Sequence, residues 1–588
     1  MLDLIREAVE TTRMAQDTPP TALNSALTSM RRAMLYAFLF SFAINLLSLL
    51  MPIYSLQVFD RVMTSRSMDT LVGLSIIVLV GYAFYGALYA VRSAVIARIV
   101  EWLDHHITPK LLEVSIGAAS ETPINSTAQP LRELAVVKNF IAGSSPTLMD
   151  IPFSAIFVLV IYMINPILGF ITLIGIALMC IFALINEYST RKPLMRANIH
   201  QTESLIHADM LGQQAQTIQA MGMMAPVLKR WQQHNAKGLE EQEHAQQRSA
   251  IVQGLSKSLR MVLQLVIIAV GAVLALEQQM SMGGLVAASI LVARAMAPFE
   301  GVIMVWKQMT NARDAYGRIQ HLLRYAPGKR GDTALPTPQG TLSVEGLYYT
   351  AGRTTPILRG LSFGLQPGES LGIIGPSAAG KSTLAKCLVG IYPPTHGAVR
   401  LDGADVYHWA RADFGQHVGY LPQTVELFPG TIKENIARMH EHIDDAAVVL
   451  AAQKAGVHEL ILGLPEAYDT KYMTGQASLS PGQKQRIGLA RALYGNVRLV
   501  VLDEPNSNLD GDGERALMQT IQILKQARIT TVVVAHRPSI LQTVDKILMV
   551  RGGGVEAFGA RDEVMARYTA AGRQKLQTAQ GGSDGASS

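Results

Sequence analysis

The chain has 588 residues, of which 49% are hydrophobic and only 16% charged, with a mean hydropathy of +0.22. Soluble chains carry about 25% charged residues, so disorder, a secreted mini-protein and a purely soluble enzyme are all poor fits. The 51 Lys and Arg against 45 Asp and Glu leave a charge of +6. Spread over this length, that excess points no more to nucleic acid than to the cytoplasmic flanks of membrane spans. Two cysteines, Cys180 and Cys387, supply neither a disulfide framework nor a zinc cluster.

In chain order, residues 1–32 are predicted as a polar cytoplasmic segment carrying Arg6, Arg13, Arg31 and Arg32. They lack the apolar core and small-residue cleavage site of a secretory signal. Six apolar runs follow, near 33–56, 71–91, 148–164, 167–186, 261–276 and 284–306. A bilayer core takes about 20 helical residues, so 33–325 is read as a membrane domain of six spans. Basic residues orient it. Arg92, Arg98, Lys110, Arg132 and Lys138 lie in the connection 92–147, and nine more, including Arg191, Lys192, Arg196, Lys229 and Arg230, lie in 187–260. The turn Asn165-Pro166 and the loop 277–283 hold none. The long connections and both termini are therefore predicted to be cytoplasmic. Helical periodicity in the long connections predicts that the spans run on past the lipid as paired rods.

A few ionisable residues fall at or near membrane depth: Asp150, Arg260, Glu277, Arg294 and Glu300. Charge there is costly unless it meets a partner or a wet cavity. Arg294 suits either a cavity-lining role or a pairing inside the bundle, whereas Asp150 reads as an interface marker. Pro52 and Pro298 are expected to kink their helices by removing a hydrogen bond.

Residues 326–340 read as a linker, rich in Pro and Gly. From Thr341 to about 565, short β-rich runs alternate with helical ones, as in an α/β domain. The tail 566–588 is predicted to be disordered at its end. Within the α/β region, Gly375-Pro376-Ser377-Ala378-Ala379-Gly380-Lys381-Ser382 matches G-x-x-x-x-G-K-S between a strand-like SLGII and a helical TLAKCLVGI. Backbone N–H groups of such a loop and the positive end of the following helix, which opens at Thr383, converge on phosphate oxygens, making Gly375 through Thr383 candidate nucleotide contacts. Lys381 adds charge for the outer phosphates, and the Ser382 hydroxyl is placed to hold Mg²⁺.

The run Arg498-Leu499-Val500-Val501-Leu502-Asp503-Glu504 reads as a buried parallel strand with carboxylates at the end where open α/β sheets bind ligands. Asp503 suits the metal and Glu504 the attacking water. Thr531–Ala535 is a similar strand ending at His536, a candidate sensor of the γ-phosphate. Gln423, after HVGYLP, is placed comparably, a candidate for the nucleotide and for the metal.

Leu479-Ser480-Pro481-Gly482-Gln483 resembles the signature that separates ABC ATPases from other P-loop proteins. The motif order, P-loop, Gln423, signature, Asp503-Glu504, Asn508-Leu509-Asp510, His536, is similar to that family throughout. Six spans followed by one such domain resemble a type I ABC exporter half-transporter. EPNSNLD, QAMGM (219–223) and LRELAVVKNFIAG (131–143) further resemble the ATPase components of bacterial type I secretion systems, of the alkaline-protease exporter kind.

The resemblance implies ATP and Mg²⁺ as cofactors and a homodimer in the inner membrane with cytoplasmic ATPase domains. Ser480, Gly482 and Gln483 would then meet the nucleotide held by the second copy, with Asp510 at the dimer seam. Short helices near 113–128 and 210–224 would couple the loops to the ATPases. It implies export of an unfolded polypeptide with a C-terminal signal through a periplasmic membrane-fusion adaptor and an outer-membrane channel protein, with the lipid bilayer as surroundings and no nucleic acid. An exporter of lipid or small hydrophobic compounds, and an ATP-gated receptor, are the alternatives. Two departures stand out. Pro481 replaces the usual first glycine, removing one backbone donor to phosphate, although proline is tolerated in a helix's first turn. Thr350 falls where an adenine-stacking aromatic is usual, leaving Tyr349 either to substitute or to serve the core, as Tyr348 also could.

Overall fold

A computed structural model describes residues 30–121, 128–324, 335–352, 355–473, 479–535 and 537–566. The chain divides into two compact units, Met1–Ala326 and Pro327–Ser588.

The first unit is helical, and among the described residues six helical stretches are long and apolar enough to cross a membrane. Helix α1 (Arg31–Leu47) stops at Ser48 and resumes as α2 (Leu50–Gln57), which continues through a π-helical turn, Val58–Val62. Pro52 lies in the first turn of α2, just past this interruption, where a missing N–H leaves nothing unpaired. Pro298, by contrast, sits within an unbroken helix. Helices α3 (Met68–Glu121), α4 (Gln129–Gly143), α5 (Ser145–Asp150) and α6 (Ser154–Ile164) follow. At Asn165 the backbone turns extended and the side-chain oxygen accepts from the Ile167 N–H at 2.9 Å. With Pro166 in the first position, this starts α7 (Pro166–Gln213) abruptly.

The expected rods are present. Helix α7 pairs with α9 (Met224–Leu276) over most of its length. At the apolar end Gly175 abuts Leu263, and at the polar end Trp231 Nε1 donates to the Ser204 carbonyl at 3.0 Å. Between them, α8 (Ala215–Ala220) is a separate short helix inside the predicted coupling segment 210–224. In the other connection, 113–121 is the tail of α3 rather than a separate helix, and 122–127 lie outside the described residues. The last helix is α10 (Met282–Arg324). Its outer end is tied to the first loop by Asp60, which accepts from Ser281 Oγ at 2.6 Å and Gly283 N at 2.8 Å. A Cβ at Gly283 would stand 2.6 Å from the Leu56 carbonyl, so only glycine permits this approach.

Two apolar cores hold the unit together. Leu103, Ile107, Leu134 and Ile319 join α3, α4 and α10, while Phe157, Leu168, Ile267 and Leu291 join α6, α7, α9 and α10. In the first core, which lies in the polar-flanked connections, complete burial of such side chains stabilises by about 1.5–3 kcal/mol each; in the second, within the spans, lipid is as apolar as the side chains and helix association rests on van der Waals packing. Four of the charges at depth form two pairs. Arg92 is buried, 3.2 Å from Asp150, and donates to Ser41 Oγ at 2.9 Å, while Asn45 Nδ2 donates to Asp150 at 3.0 Å. Asp150, expected to mark an interface, is thus a partner within the bundle. Arg260 and Glu300 form a second pair at 3.1 Å.

The second unit is α/β. An antiparallel sheet has the order β2-β1-β4-β5: β1 (Leu342–Tyr349), β2 (Leu358–Leu365), β4 (His396–Leu401) and β5 (Ala404–Asp405). The main sheet runs β12-β11-β3-β10-β9-β6. It comprises β3 (Ser370–Ile374), β6 (Val418–Leu421), β9 (Leu499–Asp503), β10 (Thr530–Val534), β11 (Lys546–Arg551) and β12 (Gly554–Ala560). All its neighbours are parallel except β11 and β12. Every residue of β9 and β10 is buried, which explains their unbroken apolar composition. Helices α11 (Lys381–Leu388), α12 (Asp445–Lys454), α13 (Pro481–Leu493) and α14 (Gly511–Gln526) surround the sheets.

Candidate nucleotide site

Because β3, β10, β9 and β6 are parallel neighbours, their C-terminal ends share one edge of the sheet. The loop 375–380 leaves β3 there, Asp503 ends β9, and Gln423 follows β6 by two residues. Three loop residues take left-handed or otherwise positive φ: Gly375 (156°), Ala378 (63°) and Gly380 (97°). A Cβ at Gly375 would lie 2.2 Å from the Val550 carbonyl, so the first glycine is dictated by the neighbouring strand. Ala378 holds its left-handed turn despite its Cβ, at a cost of about 1–2 kcal/mol. Such strain collects where a backbone must present its amides.

The Lys381 ammonium donates to the Gly375 and Pro376 carbonyls, each at 2.9 Å. Burial draws its pKa below the ordinary lysine value, opposed by the nearby Glu504 and Asp503 charges. Ser382 Oγ donates to Asp503 Oδ1 at 3.1 Å, and Gln423 Nε2 donates to Glu504 Oε2 at 2.9 Å. Burial pushes the Asp503 carboxyl above the usual range, helped by Glu504 and opposed chiefly by the Ser382 hydrogen bond. Glu504 is itself left-handed (φ 51°), with its N–H donating to the Val534 carbonyl at 3.1 Å. Its carboxylate is thereby swung off the strand end toward Gln423. Ser382, Gln423 and Asp503 together offer hydroxyl, amide and carboxylate oxygens, the hard donors that suit Mg²⁺. Among the described residues no group of three or more His, Cys, Asp or Glu gathers to hold a metal. A cation here would therefore share its coordination with phosphate oxygens, as Mg²⁺ commonly does.

Ser480 and Gln483 form a reciprocal capping box at the start of α13: Gln483 N donates to Ser480 Oγ at 3.2 Å, and Ser480 N to Gln483 Oε1 at 2.8 Å. Pro481 takes the first helical position, the one place its missing N–H is harmless. Gly482 is constrained by packing, since a Cβ there would stand 2.7 Å from the Asn508 carbonyl. Asp510 caps α14 through Gly513 N at 2.9 Å and pairs with Arg486 at 2.6 Å.

Tyr349 requires correction as a purine platform. Its ring is buried in the core and stacked on Tyr392 at 4.9 Å and 3°, so the face a base would need is occupied. Tyr348 is the exposed neighbour, edge-on to His396, and Thr350 supplies no ring. His536 lies outside the described residues. One contributor escapes sequence reading altogether. Gln485, 2% exposed, donates to the Glu504 carbonyl at 3.2 Å and accepts from Asn508 N at 3.1 Å. A glutamine in a helix five residues after the signature serine carries no spacing signal; only its burial reveals it.

A P-loop paired with an acidic strand end, a capped signature helix and a six-span bundle define an ABC transporter that hydrolyses ATP to drive transport. Residues 358–507 match the ABC transporter family and residues 34–299 the ABC transporter transmembrane region. The chain is 38% identical over 92% of its length to the type I secretion system ATP-binding protein PrsD of Rhizobium meliloti, covering 94% of that protein. It is 28% identical over 92% of its length to the cyclolysin secretion/processing ATP-binding protein CyaB of Bordetella pertussis, and 26% identical over 92% to the leukotoxin translocation ATP-binding protein LktB of Mannheimia haemolytica, covering 77% of each. Among solved structures, a bacterial Atm1-family ABC exporter with ATP bound shares the fold at a TM-score of 0.78 and 21% identity, covering 92% of this chain and 96% of that one. The chain belongs to the type I secretion ATP-binding proteins of the ABC transporter family. It is a multi-pass protein of the inner membrane with a cytoplasmic ATPase domain.

Proposed function

We propose that two copies of this chain use ATP to export an unfolded polypeptide through a periplasmic adaptor and an outer-membrane channel. The observation that carries the reading is the 38% identity to PrsD, which extends over 92% of the chain and so takes in the membrane unit as well as the ATPase. The loop 375–383, Lys381 above all, binds the phosphates. Bound Mg²⁺, held by Ser382, Asp503 and Gln423, would supply charge neutralisation at the phosphate oxygens. Glu504 accepts a proton from the attacking water, with Gln423 fixing the carboxylate's direction, and His536 senses the γ-phosphate. Phosphoryl transfer of this kind depends mainly on positioning and electrostatics. Ser480, Gly482 and Gln483 meet the nucleotide of the second copy, Asp510 stands at the seam, and α8 transmits closure to the helices.

The test is affinity capture of the Glu504→Gln variant from cells, with identification of what is bound. Polypeptides sharing a C-terminal region, together with the adaptor, are expected. Recovery of lipid alone would overturn the cargo assignment in favour of a lipid exporter.

A further inference from the structure

Arg294 lies twelve residues into α10, about 18 Å from its outer end at 1.5 Å per residue, near the middle of a hydrocarbon core of about 30 Å. The side chain is exposed in the protomer and has no hydrogen-bond or ion-pair partner among the described residues. An arginine facing acyl chains at that depth is costly, and such residues normally face a bundle interior or a water-filled cavity. The helix face around it is not built for lipid either. Ala297, one turn on, is exposed, and among the described residues no large apolar side chain between 283 and 303 is exposed. The contrast with α3 is sharp: there Val72, Ile76, Ile77, Leu79 and Phe84 all stand out, as a lipid-facing helix requires.

A second copy cannot readily neutralise Arg294, because Asp150 and Glu300 are engaged within their own protomer, while Asp60 and Glu277 lie at the outer turns. Asp60 holds Ser281 and Gly283, Asp150 holds Arg92, and Glu300 holds Arg260. Glu277 sits at the outer turn, accepting from Gln279. What remains is a wet path and the chain within it.

We propose that the Arg294–Ala297 face of α10 lines the polypeptide path between the two copies, and that Arg294 hydrogen-bonds main-chain carbonyls and carboxylates of the unfolded chain in transit. This rests on the export reading above. An unfolded chain brings unpaired carbonyl oxygens, and a guanidinium offers five donors in a planar fork with weak hydration.

The test uses the full chain in inside-out membrane vesicles with Cys180→Ser; Cys387 remains, since it is buried and its thiol is pushed up to about 12. Arg294→Cys, Ala297→Cys and, at similar depth on α3, Leu79→Cys are labelled with a sulfonated maleimide. Labelling at 294 and 297 at least about tenfold faster than at 79 is expected, because a charged reagent follows water rather than acyl chains. Ala297→Cys keeps the comparison decisive if Arg294→Cys folds poorly. Rates at both positions equal to that at 79 overturn the lining, whatever the cargo. A photo-crosslinking side chain at 294 in secreting cells then identifies the occupant. Adducts to the polypeptides recovered by Glu504→Gln capture, absent from position 79, support the proposal. Adducts only to a second copy of this chain overturn it in favour of a protomer contact. Fast labelling with lipid-only adducts removes the polypeptide as occupant and the export reading with it.

Discussion

The two units handle polar groups in opposite ways. In the ATPase unit, polar side chains cluster at one sheet edge and are aimed by strained backbone at Ala378 and Glu504. In the membrane unit, polar groups at depth are few, and Arg92–Asp150 and Arg260–Glu300 serve to cancel charge between helices. The first arrangement creates local reactivity from short sequence; the second suppresses charge across long separations. Function therefore tolerates change differently in the two places.

Substitutions in both units probe that contrast. Glu504→Gln keeps shape and the Gln423 neighbour but removes the proton acceptor. Steady-state phosphate release should fall by about 10²–10⁴-fold while ATP binding persists, and ordinary turnover would remove Glu504 from its role. Arg92→Met leaves Asp150 without its cation, and breaking one side of a buried pair costs about 3–5 kcal/mol. The thermal midpoint of the purified protein should drop, and Arg92→Met combined with Asp150→Leu should recover much of it. A double variant as unstable as the single one would show that the pair does more than cancel charge.

The smallest effect belongs to Asp510→Ala, which deletes the cap of α14. The Gly513 N–H holds this carboxyl below the ordinary aspartate range, with Arg486 adding to it. Its stabilisation is thus fully present above the unfolded value and lost as pH falls through the lower folded one. The difference in melting temperature between wild type and variant should accordingly shrink on acidification and stay flat from pH 6 to 8.

The same contrast governs what could be read without coordinates. The P-loop, Asp503, Glu504 and Gln423 were legible because phosphate geometry dictates residue type and spacing within a few positions. The six spans were legible because lipid dictates length. Partners brought together by tertiary packing were not. Arg92 and Asp150 lie 58 residues apart, and nothing local marks either as the other's counter-ion. Tyr349 faced the core rather than solvent because strand alternation places it opposite Tyr348, a one-residue distinction that composition alone does not resolve. The segment 113–121 continued a long helix despite Pro109 just before it and Gly117 within it, two residues that a sequence reading takes as places to stop.

Gln485 ties the backbone of Glu504 to the loop at Asn508, and Asn508 in turn bears on Gly482. With the signature serving the opposite nucleotide, as proposed, each subunit's water-activating carboxylate is wired to its neighbour's occupancy. Firing at one composite pocket would then be felt at the other through a single amide, so that the pair keeps time rather than idling independently.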